Sequence, residues 1–312
     1  MVHCKKTPQF DAKRDIPQLD GKVILVTGGN VGLGKQAILD YAQHNPAQIW
    51  LAARNLDKAA AAVKEIQEEL PNTALPPIHL LQLDLSSLES VKNAARTFMA
   101  QTDRLDILML NAGIMAAPPA LTKDGYEVQF ATNYLGHALF TKLLLPVLGK
   151  TAARPGADVR IVTVSSDLHT NAPKEGIRFD AIKSQCEDMS AYERYGQSKL
   201  AQILWARQMA KLYPQFTVAS IHPGVVRTNL QAGATGQPRV LQFAMNAMHF
   251  MLTPVEQGVR NQLWATVSKD VQSGEYYHPV GVGGEGSKLA RDGELANKLW
   301  EWSEKNLANH TI

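Results

Sequence analysis

Lys22-Val-Ile-Leu-Val-Thr27 runs straight into Gly28-Gly-Asn-Val-Gly32-Leu-Gly34, and no other feature restricts the fold of this chain as much. A short apolar run rich in β-branched residues and stopped by glycines predicts a buried parallel strand followed by a turn. Residues 32 to 43 then suit a helix, with Leu33, Ala37, Ile38 and Tyr41 at helical spacing. The same unit recurs along the chain. Further strands are expected at Gln48 to Ala53, Ile78 to Leu83, Asp106 to Leu110, Val159 to Val164 and Phe216 to Ile221. Helices are expected over about 57 to 70, from Thr122 to Leu148 and from Ala191 to Tyr213. Ser86-Ser-Leu-Glu89 reads as a capping box opening another, and Thr253-Pro-Val-Glu256 opens one more with Pro at its first position. Strands alternating with helices imply an α/β fold, a doubly wound parallel sheet with right-handed crossovers and helices on its faces.

Composition narrows the class of protein. At 312 residues and 45% hydrophobic content the chain can bury one substantial core. The expected division is a polar N-terminal extension over 1 to 20, one domain over 21 to 290 and a C-terminal helical tail over 291 to 312. With 32 basic against 29 acidic residues and no dense Lys/Arg tract, nucleic-acid binding is not indicated. Cys4 and Cys186 are the only cysteines, which argues against a disulfide framework or a zinc site and for a reducing compartment. No apolar run reaches the roughly 18 to 20 residues of a bilayer span, and the N-terminal stretch has no signal-peptide apolar segment. A cytoplasmic protein without an integral membrane segment is the expectation.

The glycine turn has a chemical reading. Glycines let backbone approach a phosphate closely, and the helix that follows presents a partially positive N-terminus. The spacing is Gly28-x3-Gly32-x-Gly34, not the G-x-G-x-x-G of the usual dinucleotide fingerprint, and a packing turn without a ligand is the alternative. The fingerprint also expects an acid at the end of the second strand, for a ribose hydroxyl. Here that strand ends Ala52-Ala53-Arg54-Asn55, with no acid before Asp57. Arg54 offers a planar fork suited to a 2′-phosphate, and Lys35 follows the turn. An Arg at this place also fits a solvated surface residue. The missing acid favours NADP(H).

Tyr195 and Lys199 stand four apart on one expected helix, so their side chains share a face. A phenol titrates near 10 and needs help to exchange a proton at neutral pH. A neighbouring ammonium favours the phenolate, and a shift of ~3 units corresponds to roughly 4 kcal/mol. No other Tyr in the chain has Lys four residues later. By itself the pair also fits an ordinary exposed helical couple.

Taken together, Thr27-Gly28-x3-Gly32-x-Gly34, Asp84-Leu85, Asn111-Ala112-Gly113, Asn133, Val164-Ser165-Ser166, Tyr195-x3-Lys199 and Pro223-Gly224 resemble the short-chain dehydrogenase/reductase family over about residues 20 to 280. Ala53-Arg54-Asn55 and Thr132-Asn-Tyr-Leu-Gly-His137 look most like its retinol-dehydrogenase and WW-domain-oxidoreductase branch, without that branch's membrane anchor or WW module. The resemblance implies a single Rossmann-type domain with a C-terminal substrate lid, as a monomer or homodimer. Tyr195 would be the general acid/base, with Lys199 lowering its pKa and holding the nicotinamide ribose. Ser166, more than its neighbour Ser165, would bond the reacting oxygen, and Asn133 would position a water linking Lys199 to solvent. Gly28, Asn30, Gly32, Leu33, Gly34, Lys35 and Arg54 would hold the phosphates, and Asp84 and Leu85 the adenine. Asn111, Ala112 and Gly113 would line the adenosine ribose, and Pro223, Gly224, Val225 and Thr228 the nicotinamide end. No metal is needed.

The implied activity is NADP(H)-dependent interconversion of a carbonyl and an alcohol. A related reaction on a C=C or C=N bond and a non-catalytic NADPH-binding regulator are the alternatives, the latter having no need of an acid/base set. Residues 229 to 253, where the family places its lid, carry Leu241, Phe243, Met245, Met248, Phe250, Met251 and Leu252. Such an adaptable surface suits a medium-sized apolar small molecule, though core packing or a dimer contact explains the stripe equally well.

Overall fold

The computed structural model describes residues 9–71, 73–227 and 252–312. Its framework is one sheet in the order β3-β2-β1-β4-β5-β6-β7-β8. The strands are β1 Val23–Thr27, β2 Gln48–Ala53, β3 Ile78–Gln82, β4 Ile107–Leu110, β5 Arg160–Val164, β6 Thr217–Ile221, β7 Tyr276–His278 and β8 Val282–Gly283. All neighbours pair in parallel except the antiparallel β7–β8. β1, β4 and β5 are buried at every position, as strands covered on both faces must be.

Helices supply the two covers. In chain order they are α1 Ala12–Asp15, α2 Gly32–Ala42, α3 Leu56–Glu69, α4 Leu88–Gln101, α5 Val128–Phe130, α6 Gly136–Ala152, α7 Ala191–Leu212, α8 Val255–Gly258, α9 Arg260–Val267 and α10 Gly293–Leu307. Side chains alternate along β1, so Val23 and Leu25 join a core with α4, α6, α7 and α10. Ile24 and Val26 join the opposite core with α2, α3 and α9. Both chain ends contribute: Phe10, Ile16 and Leu19 are buried in the second core, and Leu299 and Leu307 of α10 in the first. Among the described residues no helix is long and apolar enough to cross a membrane.

Local chemistry moved several expected boundaries. The helix expected from Thr122 begins at Val128, because Lys-Asp-Gly at 123 to 125 makes a turn. Gly125 there takes φ +78°, and Leu121 bridges Glu127. The cap of α4 is Ser87, which accepts from the Ser90 amide, and not Ser86. Ser86 Oγ instead donates to Asp84 at 2.6 Å. Pro254 is the N-cap of α8 and not its first helical residue. β7 and β8 went unforeseen. The segment proposed as a lid, from 229 onwards, lies outside the described residues apart from 252 and 253.

Candidate active site

The glycine turn connects β1 to α2 at the C-terminal edge of the sheet, where ligands of open parallel sheets bind. Gly28 has φ +67°, and a Cβ there would press the Ala112 backbone at 3.0 Å. A Cβ on Gly34 would run into the Gly28 carbonyl oxygen. Thr27 sets the turn against β4: its Oγ1 accepts from the Asn111 and Ala112 amides, both at 3.0 Å. Asn111 Nδ2 donates to the Thr27 carbonyl at 2.9 Å. The N-cap of α2, Val31, is exposed and supplies no side-chain bond, so the first amides of α2 are left for another acceptor. Asn30 and Leu33 are half-buried beside it. An uncapped helix start behind a glycine-rich turn fits a pyrophosphate.

The two cations expected near this turn are placed differently. Arg54 is exposed at the end of β2 and has no ion-pair partner among the described residues. Lys35 is engaged by two carboxylates of α3, Glu65 at 2.6 Å and Glu69 at 3.0 Å. Asp84 accepts from the amide and hydroxyl of Ser86, and Leu85 is buried against Gly136.

The chemistry-bearing side chains converge from three elements. α7, opened by a Ser190–Glu193 capping box, carries Tyr195 and Lys199, which are 3% and 4% exposed. Lys199 Nζ lies 5.6 Å from the centroid of the Tyr195 ring. Ser166 follows β5. Burial pushes the Tyr195 phenol up to about 12, while a hydrogen bond with Ser166 pulls the other way. Burial pushes Lys199 down to about 7. Desolvation disfavours the charged form of each. Lys199 Nζ donates to the Val164 carbonyl at 2.8 Å and to Gln202 Oε1 at 2.9 Å. One of its three protons is therefore left over. Ser165 has other work, its Oγ donating to the Lys199 carbonyl at 2.8 Å.

Asn133 occupies a π-turn, Ala131–Leu135, between α5 and α6. Its Oδ1 accepts from the Ile114 amide at 2.8 Å. Its Nδ2 donates to the Ile114 carbonyl and to Ser198 Oγ, each at 2.9 Å, and Ser198 Oγ donates to the Tyr195 carbonyl at 2.7 Å. Asn133 thus braces the loop after β4 against α7, with both amide protons spent. Gly113 leaves room between them, since a Cβ there would lie 3.1 Å from Asn133 Oδ1 and 3.6 Å from Lys199 Nζ. Pro223 and Gly224, the latter at φ +88°, lead out of β6 to the exposed Val225. Thr228 lies outside the described residues.

Three further groups had no role assigned from the sequence. His137 Nδ1 lies 2.9 Å from the Asn133 carbonyl and Nε2 lies 2.9 Å from Thr27 Oγ1. Since a carbonyl only accepts, Nδ1 carries the proton, and burial lowers this imidazole to about 4. Arg194 Nη1 and Glu127 Oε1 form a buried pair at 3.3 Å, with Arg194 Nη2 also donating to the Ala117 carbonyl. Gln202 is the third. Its only signal in the sequence is a position one turn beyond Lys199.

Residues 22–238 match the family described as short chain dehydrogenase. Over 312 aligned residues the chain is 41% identical to the short-chain dehydrogenase/reductase drtF of Aspergillus calidoustus, covering 95% of this chain and 97% of that protein. A solved but uncharacterised protein from Mycobacterium paratuberculosis superposes with a TM-score of 0.73 at 28% identity, over 96% of this chain and 97% of that one. A short chain dehydrogenase from Shigella flexneri 2a, solved with NADP, gives 0.62 at 22% identity, over 84% and 98%, a likeness of fold.

Proposed function

The chain belongs to the short-chain dehydrogenase/reductase family of oxidoreductases, and on that footing we propose that it interconverts a ketone or aldehyde and an alcohol with NADP(H). The observation that carries the reading is the convergence of Tyr195, Lys199 and Ser166 beside an uncapped glycine turn. When bound, the nicotinamide supplies or accepts the hydride. Tyr195 Oη gives a proton to the substrate oxygen during reduction, while the Ser166 hydroxyl bonds that oxygen where negative charge develops. Burial keeps the Tyr195 phenol protonated and, contrary to the expected lowering, raises its pKa, so the proton is in place but its release depends on groups that stabilise the phenolate. Lys199, with its unspent proton, steadies the phenolate that remains. Asn133 and Ser198 fix the spacing of α7 and the loop at 114.

Arg54, without an ion pair among the described residues and with no acid at the end of β2, supports NADP(H) over NAD(H); Lys35, already neutralised by two carboxylates, adds little. Met115, Ala116 and Ala191 are buried against Tyr195, with Leu168 and Tyr192 partly buried around them. That apolar wall supports a medium-sized apolar substrate. The test is NADPH oxidation over a panel of carbonyls, with Tyr195→Phe alongside. Bulky apolar ketones should give the higher kcat/KM. Tyr195→Phe should lose about 100-fold or more in turnover while NADPH affinity is kept. Wild-type turnover in Tyr195→Phe refutes the acid/base assignment, and preference for small polar carbonyls refutes the substrate class.

A further inference from the structure

Gln202 lies one turn beyond Lys199 on α7 and is 1% exposed. Both ends of its amide are committed: Oε1 accepts from Lys199 Nζ at 2.9 Å, and Nε2 donates to Thr163 Oγ1 at 2.9 Å. The assignment has one solution. An ammonium only donates, so the amide oxygen must face Lys199, and the amide nitrogen is left to the hydroxyl, which can accept. Thr163 thereby fixes which way the amide points. With Val164 also accepting from Nζ, β5 and α7 each hold one of the three ammonium protons.

We propose that Gln202 is a positioning residue for the reaction, holding the Lys199 ammonium beside Tyr195 and keeping it charged, with Thr163 as its brace. This rests on the oxidoreductase reading above. Charged or titratable groups around Lys199 are few. Tyr195 shares its helix, His137 faces it from α6 and His222 from the end of β6. Both imidazoles are held neutral by burial, each at about 4. Among the described residues no carboxylate lies within ion-pair distance of Lys199. Uncharged oxygens are therefore what offsets the burial of this cation, and among the described residues Gln202 supplies the only side chain bonded to it.

The experiment follows the Lys199 side chain directly, by NMR titration of the full chain labelled at lysine Cε, the signal assigned with Lys199→Arg. In Gln202→Leu the Lys199 midpoint should fall by about one pH unit or more, the size expected when a hydrogen bond to a charged group is lost. In Gln202→Glu it should rise above the wild type. Thr163→Val should lower it by less. The basic limb of kcat/KM for carbonyl reduction should move in the same directions, with KM for NADPH changing less than kcat. An active wild type whose Lys199 midpoint is unmoved in Gln202→Leu overturns the proposal. Should Gln202→Leu not fold, Gln202→Glu and Thr163→Val carry the same comparison, and unmoved midpoints in both overturn it. A wild type inactive on every carbonyl overturns the carbonyl-reduction reading instead.

Discussion

Asp40 offers the sharpest quantitative test of the structure. It sits on α2, 8% exposed, and its hydrogen bond is to Gln36 Nε2 at a long 3.3 Å. No ion pair reaches it among the described residues. Burial is the main cause that lifts its carboxyl from 3.8 to about 7, with Gln36 and the more distant Lys13 opposing and Glu256 and Asp11 adding to the lift. A raised folded-state pKa means that the folded chain holds a proton the unfolded chain has released. This group costs nothing below about pH 4. Stability then falls as pH climbs from about 4 to about 7, and stays lowered above that. The interval from 3.8 to about 7 is roughly three pH units, so the cost at pH 8 is on the order of 4 kcal/mol at 1.36 kcal/mol per unit. Asp40→Asn keeps the shape and the Gln36 contact but cannot ionise. Urea denaturation at pH 4 and pH 8 gives the comparison. The variant should match the wild type at pH 4 and exceed it at pH 8 by up to about 4 kcal/mol. An identical difference at both pH values refutes the argument.

Arg54→Asp should weaken NADPH binding by about 10- to 150-fold, the worth of a charge-assisted bond of roughly 1.5 to 3 kcal/mol. NADH affinity should change little, and equal wild-type affinity for both cofactors, read by fluorescence titration, refutes the assignment. Gly34→Ala should lower the melting temperature and weaken the dinucleotide, because its methyl meets the backbone carbonyl of Gly28 and Asn111 Nδ2 at 2.6 Å; unchanged calorimetry would show that the turn has slack. With Lys199 at about 7, kcat/KM for reduction should be flat at lower pH and fall as pH rises through about 7, since the ammonium is lost. A profile flat to pH 9 contradicts this.

β1, β2, β4, β5 and β6 could be read from the sequence because strands covered on both faces must be apolar at nearly every position, while the half-exposed edge strand β3 showed itself only through Ile78, Leu80 and Leu81. β7 could not: three residues, Tyr276-Tyr-His278, leave no periodicity to detect, and the strand exists only because β6 offers it an edge. Tyr195, Lys199 and Ser166 were found because their spacing is local or their order distinctive. Pairing across space was invisible. Lys35 was expected to serve the turn, yet Glu65 and Glu69 reach it from a helix some thirty residues on, across the α2–α3 contact. Gln202 acquires its meaning only when β5 brings Thr163 beneath it. Asn133 stood out through the family pattern, but its setting, a turn wound more loosely than its neighbours, had no signal in the sequence.

That loose turn has a bearing on how chains of this kind can be altered. A π-turn amounts to one residue more than a regular helix needs, and each residue of regular winding turns the helix by about 100°. Everything on α6 is out of phase with α5 by that step, so a single deletion within 131 to 135 would restore ordinary winding at the expense of the brace. Asn133 would rotate away from Ile114, and His137 away from Thr27. Two contacts that tie the loop after β4 and the glycine turn to this segment would be lost together, with no substitution at either place. Aligned chains that lack one residue here should be suspected of lacking the site, however well their Tyr and Lys agree.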